Sequence, residues 1–141
     1  VLEKSIKKFV ARLFSKQEYF IFTTSIEHGD YTPWNILDIG NEYCLIDWEN
    51  AVMDGFPLID VFHFVYIVHM LIDTHKNPFI ELRSNKNILY IREKINITED
   101  GFNLLNLLYI LRRLSQYNHP RSAIEFAYFK ENYFDLTNRL S

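Results

Sequence analysis

Apolar residues recur at helical spacing over most of this chain and alternate at strand spacing in one short region. Leu2, Ile6, Phe9, Val10, Leu13 and Phe14 step by three or four with lysines between them, which predicts an amphipathic helix over residues 1–18. Residues 19–25 are aromatic and β-branched and predict a strand or extended segment. Pro57 suits the first position of a helix running to about residue 74, with Asp60 in its first turn, where a carboxylate complements the helix dipole. Asn77-Pro78 marks a break, and residues 79–82 and 87–95 predict short helices. Thr98 reads as an N-cap, with Glu99 and Asp100 in the first turn of a helix carried by Phe102, Leu105, Leu108, Tyr109 and Leu111 to about residue 116. Pro120 opens a last helix with Ile124, Ala127, Tyr128 and Phe134 along one side. No repeat, low-complexity run or linker interrupts residues 1–141. The expected class is mainly α with a small β-hairpin, in one lobe.

The hairpin lies between the first helix and the second. Ile36, Leu37 and Ile39 form a short run, Gly40-Asn41 follows, and residues 42–46 form a second run. Glycine first in a two-residue loop suits a type II′ turn. With Ile39 paired to Glu42, Asn35 lies opposite Ile46, and Asp47 is the next residue. A neutral oxygen ligand and a carboxylate thus reach one end of one rigid element, although eleven residues separate them. Mg²⁺ takes oxygen ligands of this kind, one or two from protein and the rest from water and phosphate. Asp30 stands five residues before Asn35, in a loop punctuated by Gly29 and Pro33. From there it can orient an attacking hydroxyl or take its proton.

The ordered set of Asp30, Asn35 and Asp47 resembles the catalytic and metal loops of kinase-like phosphotransferases. His28-Gly29-Asp30 stands where protein kinases carry His-Arg-Asp, and Asp47-Trp48-Glu49 stands at the Asp-Phe-Gly position. The His-Gly-Asp form is similar to that of the aminoglycoside phosphotransferase and choline kinase superfamily, and the likeness covers residues 27–64. It implies the C-terminal lobe of a protein kinase-like fold, with ATP as phosphoryl donor, Mg²⁺ as cofactor and a small-molecule hydroxyl as acceptor. Carried over, Asp30 is the catalytic base or orienting aspartate, and Asn35 and Asp47 are the Mg²⁺ and nucleotide-phosphate ligands. Asp60 is the structural aspartate that ties down the catalytic loop. His28 is expected as a buried support, and Glu49 either at the edge of the metal shell and loop or in a surface hydrogen bond. The segment 54–64 is also similar to that of bacterial phosphotransferases associated with surface-glycan synthesis.

Composition narrows this picture. Apolar residues make up 48% and aromatic residues 16% of 141 residues, enough for a folded domain with a sizeable core. Cys44 is the single cysteine, which excludes an internal disulfide and fits a reducing cytoplasm. The longest apolar stretch, residues 58–72, contains Asp60, His63 and His69, too short and polar for a membrane span. No nucleic-acid partner is expected. Residues 1–73 carry five basic and eleven acidic side chains, and residues 74–141 carry ten and seven. The resemblance implies that C-terminal helices help form the substrate pocket, so a basic C-terminal half would disfavour a polycationic aminoglycoside and favour a neutral or anionic acceptor, such as a sugar or sugar phosphate; the same charges equally suit solvated helix surfaces. None of the four glycines cluster into a phosphate-binding loop, and the resemblance implies a nucleotide lobe in cis outside this chain, the alternative being a naturally short protein or a degenerate relative.

The remaining histidines and tryptophans have plainer readings. His63, His69 and His75 recur every six residues, which on a helix turns each about 120° from the last. That suits core or surface positions rather than a zinc site. Trp34 and Trp48 flank the proposed site and are expected to fill its apolar floor, with stacking on a substrate as the alternative. Two rival functions remain: a pseudokinase or nucleotide-binding module without turnover, and a metal-dependent hydrolase built on His28, Asp30 and Asp47.

Overall fold

The computed structural model describes residues 7, 8, 11, 15, 21–116 and 123–140. Of the expected N-terminal helix, only Lys7, Lys8, Ala11 and Ser15 fall within this set, and they are helical and exposed. The rest of that helix and the expected start at Pro120 lie outside the described residues. The fold is mainly helical, with two small antiparallel sheets. In order come β1 (Ser25–Glu27), β2 (Ile36–Asp38), β3 (Tyr43–Leu45), β4 (Val52–Gly55), α1 (Ile59–Leu71), α2 (Pro78–Ser84), α3 (Lys86–Lys94), α4 (Glu99–Gln116) and α5 (Ala123–Leu140). Three-residue 3-10 turns at Pro33–Asn35 and Trp48–Asn50 flank the hairpin. Packing divides the chain into two compact units, residues 22–98 and residues 99–141 with the N-terminal segment. Among the described residues no helix is long and apolar enough to cross a membrane.

In the first unit, α1 is apolar on all sides, and none of residues 59–70 is exposed. A helix with no polar face belongs inside. Phe62 and Tyr66 are fully buried, and the Tyr66 ring meets Phe79 of α2 edge-on at 6.2 Å. The start of α1 differs from expectation. Pro57 precedes the N-cap, which is Leu58 with φ 67° and ψ −1°. A left-handed leucine costs about 1–3 kcal/mol, and such strain persists where the surroundings hold it; here the Leu58 side chain is buried. The helix also stops at Leu71, before residue 74. The amides of Ile72 and Asp73 both bond back to the Val68 carbonyl, and the Lys76 carbonyl accepts from His69 Nδ1 at 3.2 Å. The chain therefore folds back over the helix end. At α2, Asn77 accepts from the Phe79 amide and Pro78 fills the first turn. Asn85 caps α3 in the same way.

The β1–β4 pairing has no counterpart in the sequence reading. Ser25 pairs with Gly55 and Glu27 with Val52 across a bulge. A Cβ on Gly55 would lie 2.5 Å from Glu27 Cβ, so glycine is required for the two backbones to approach. Val52, Met53 and Asp54 are exposed and carry no alternating pattern, and only the long-range partner makes them a strand.

In the second unit, α4 packs on α5. The buried apolar side chains on α4 are Phe102, Leu105, Leu107, Tyr109 and Ile110, while Leu108 and Leu111 are exposed. Leucines occupy nearly every side of α4, so hydrophobicity alone did not set its phase. On α5 the buried apolar residues are Phe129, Tyr133, Leu136 and Leu140; of the four residues expected along one side, Ile124, Ala127 and Phe134 are exposed and Tyr128 is half-buried. The Arg113–Glu125 ion pair links the two helices, and the Arg113 guanidinium lies 5.7 Å over the Phe129 ring.

Two outcomes follow for stability. Phe62→Ala deletes a fully buried ring and is expected to cost about 3–5 kcal/mol in urea unfolding. Burial raises the Tyr109 pKa above the ordinary 10.0, so its neutral phenol stabilises the fold below pH 10 and that contribution is lost as pH climbs toward the folded value. Absorbance at 295 nm is expected to show Tyr109 ionising only together with alkaline unfolding. A Tyr109→Phe variant with the same native-state tyrosinate titration checks this.

Candidate active site

The site is built from the hairpin outward. Ile36 pairs with Leu45, Leu37 with Cys44 and Asp38 with Tyr43, and the Ile39 amide donates to the Glu42 carbonyl at 3.0 Å. The register is the one expected. Gly40 has φ 98°, while Asn41 is not among the residues of positive φ, the sign pattern of a type II′ turn. Asp38 Oδ1 reinforces the turn by accepting from the Gly40 amide. At the other end, the Ile46 amide donates to the Asn35 carbonyl at 3.0 Å, which sets Asp47 beside Asn35 in the chain path. Asp47 is exposed and left-handed, φ 63° and ψ 62°, a conformation that aspartate tolerates better than most side chains.

Asn35 is buried and its amide is fully directed. Nδ2 donates to the Asp30 carbonyl at 2.9 Å and to Asp30 Oδ2 at 3.0 Å. Two acceptors at one atom assign that atom as nitrogen. Its Oδ1 is left as the acceptor available to a cation. Asp30 is held at its other oxygen too, where His63 Nε2 lies 3.1 Å from Oδ1. Its side chain nevertheless stays 37% accessible, open to an incoming molecule.

His28 and Asp60 fix the loop from beneath. Asp60 Oδ2 accepts from the His28 amide at 2.7 Å, and Oδ1 accepts from the Gly29 amide at 3.1 Å. The Asp60 carboxylate therefore serves two loop amides instead of the amides of its own helix. The His28 ring is buried, and both its nitrogens are used. Nδ1 accepts from the Asp30 amide at 3.3 Å, so Nε2 carries the hydrogen and donates to the Ile46 carbonyl at 2.8 Å. One imidazole thus joins the loop to the end of the hairpin. Gly29 has φ 83°, and a Cβ there would lie 2.5 Å from the Asn50 carbonyl oxygen.

Several expected residues sit elsewhere. Glu49 is exposed in the 3-10 turn, and no hydrogen bond joins it to the loop among the described residues; its neighbour Asn50 is the one that meets Gly29. Trp34 and Trp48 do not fill an apolar floor, being 53% and 48% exposed. Each lies in a three-residue turn, and in the first the buried position goes to Asn35. Trp48 donates Nε1–H to the Leu45 carbonyl and sets its ring edge-on to His28, 4.7 Å between centroids. His69 bonds the Lys76 carbonyl and His75 lies beyond α1, so the three spaced histidines do not converge. The residue that sequence reasoning passed over is His63. Its signal was available: it follows Asp60 by three positions, one turn up the same face of α1.

Among the described residues no group of three or more His, Cys, Asp and Glu side chains is arranged to hold a metal ion. Asn35 Oδ1 and the exposed Asp47 carboxylate are the oxygen donors that the Ile46–Asn35 backbone bond brings to the same end of the hairpin. Both are hard oxygen donors, and the set fits an ion that draws its remaining ligands from phosphate and water. A cavity of about 330 Å³ lies apart from these residues, lined by Thr23, Ile26, Phe56, Leu58, Ile91 and Ile97 among others, with Asp60 at its wall. Neither Asp30, Asn35 nor Asp47 lines it. No family model matches this sequence, and no curated protein or solved structure matches it.

Gly29→Ala is expected to destabilise the protein by roughly 2–3 kcal/mol, because it combines a left-handed alanine with a clash on the Asn50 carbonyl. Urea unfolding measures this, and an unchanged midpoint would mean that the loop relaxes without Asp60 and Asn50 holding it.

Proposed function

We propose that this chain is the C-terminal catalytic lobe of a kinase-like phosphotransferase that moves the γ-phosphoryl group of ATP to a hydroxyl of a small molecule. One observation carries the reading. Asn35 bonds Asp30 through its side chain and the Ile46 amide through its carbonyl, which ties Asp30 to Asn35 and supports a reading in which Asp47, the next residue after Ile46, joins them at that end of the hairpin. In this reading Asp30 accepts a hydrogen bond from the acceptor hydroxyl, orients its oxygen toward the γ-phosphorus and takes the proton as the new P–O bond forms. The bond to the β-phosphate oxygen breaks and ADP leaves. Asn35 and Asp47 would hold Mg²⁺, which supplies charge neutralisation on the phosphates. His28 and Asp60 keep the loop from moving, so that orientation is built into the resting protein.

The acceptor in this reading is neutral or anionic, a sugar or sugar phosphate, and the nucleotide lobe acts in cis. A cytoplasmic setting suits the free, exposed thiol of Cys44. The hydrolase alternative is disfavoured by His28. Both of its ring nitrogens are bound within the protein, and neither is left for a metal.

The test is phosphoryl transfer by the full-length protein from Mg²⁺-ATP to a panel of sugars, amino sugars, choline-like alcohols and aminoglycosides, with mass-spectrometric detection of product. Asp30→Asn keeps the side-chain shape and removes the charge, and is expected to lower kcat by about 10²–10⁴-fold. Turnover within tenfold of wild type in that variant would overturn the role of Asp30. Saturable Mg²⁺-dependent ATP binding without product from any acceptor would move the protein to the non-catalytic class.

A further inference from the structure

We propose that His63 is a positioning residue for the Asp30 carboxylate, setting the plane in which Asp30 meets the acceptor hydroxyl; this rests on the phosphotransferase reading above. Helix α1 has no exposed residue along 59–70 and is apolar apart from Asp60, His63 and His69. A polar ring in such a helix is costly unless it is hydrogen-bonded. His63 is 4% exposed, and its Nε2 lies 3.1 Å from Asp30 Oδ1. An ionised carboxylate only accepts, so Nε2 carries the hydrogen of this pair.

The geometry makes a two-point clamp. Asn35 Nδ2 holds Oδ2 at 3.0 Å and His63 Nε2 holds Oδ1 at 3.1 Å. One donor fixes one oxygen and leaves the carboxylate free to turn about its Cβ–Cγ bond. Two donors on different elements, the 3-10 turn before β2 and the second turn of α1, fix the plane. Asp60 and His63 follow each other by three residues, so one rigid helix sets both the height of the loop, through His28 and Gly29, and the orientation of its reacting side chain. The carboxylate remains 37% accessible, so the clamp leaves lone pairs for a hydroxyl. His63 acts through Asp30 and touches no substrate.

Two variants and a spectroscopic measurement test this on the full-length protein. His63→Phe keeps the ring and removes the donor; His63→Gln restores an N–H near the position of Nε2. For His63→Phe, kcat is expected to fall by about 10–100-fold while the acceptor KM stays within about threefold, the signature of misorientation rather than lost binding. His63→Gln is expected to recover most of that loss. A folded His63→Phe with kcat within twofold of wild type overturns the proposal, as does a His63→Gln no better than the phenylalanine. Ring ¹H–¹⁵N correlation spectra are read alongside, and they remain readable if His63→Phe fails to fold. An Nε2-protonated His63 whose ring signals move in Asp30→Asn supports the clamp, and an Nε2 without hydrogen overturns it. Wild-type protein without turnover on any acceptor overturns the phosphotransferase reading and the positioning role of His63 with it, while the spectra alone then decide whether the contact exists.

Discussion

The Asp60 carboxylate, bonded at once to the His28 and Gly29 amides, is the interaction on which the candidate site depends. Loop amides left without partners away from water cost as much as lost hydrogen bonds, and a charged acceptor is the strongest remedy for two of them together. Asp60 stands in the first turn of the most buried helix of its unit, so its position is set by packing and passes directly to the loop. The left-handed turn at Leu58 is what delivers it there. Backbone strain at one residue is thereby exchanged for a fixed loop thirty residues earlier in the chain.

From that anchor the remaining contacts form a closed circuit. His28 reaches the hairpin end through Ile46 and receives the Asp30 amide. Asn35 receives Ile46 on its backbone and grips Asp30 with its side chain. His28, Asp30, Asn35 and Asp60 are each bonded to at least two other residues. Networks of this kind are rigid when fully satisfied. Rigidity is also what phosphoryl transfer asks of a protein, because that chemistry rests on positioning and electrostatics more than on covalent steps. The exposed, left-handed Asp47 stands at the rim of the circuit with its carboxylate open to solvent.

The elements most legible from residues alone were those with local causes. The hairpin register followed from Gly40-Asn41 and the short runs on either side, and the starts of α2 and α4 followed from Asn77-Pro78 and from the acidic residues after Thr98. Legibility failed where the cause lay far along the chain. β4 exists only through pairing with β1, and the buried faces of α4 and α5 were chosen by packing among several apolar stripes of similar strength. The tryptophans were misplaced for a related reason. A large apolar side chain suggests burial, but a three-residue turn offers one inward position, and in the first turn Asn35 takes it.

By itself, the sequence determined the order of Asp30, Asn35 and Asp47, the turn that folds the last two together, and the presence of a carboxylate at Asp60. These depend on spacing and on conformational preferences within a few residues, which a linear pattern records. Only the tertiary structure decided that Asp60 turns toward the loop instead of its own helix, that Asn50 rather than Glu49 closes on Gly29, and that His63 reaches Asp30. Each of those contacts joins segments separated by more than twenty residues, and its direction is set by how α1 and the turn after the hairpin meet the loop, which no local preference encodes.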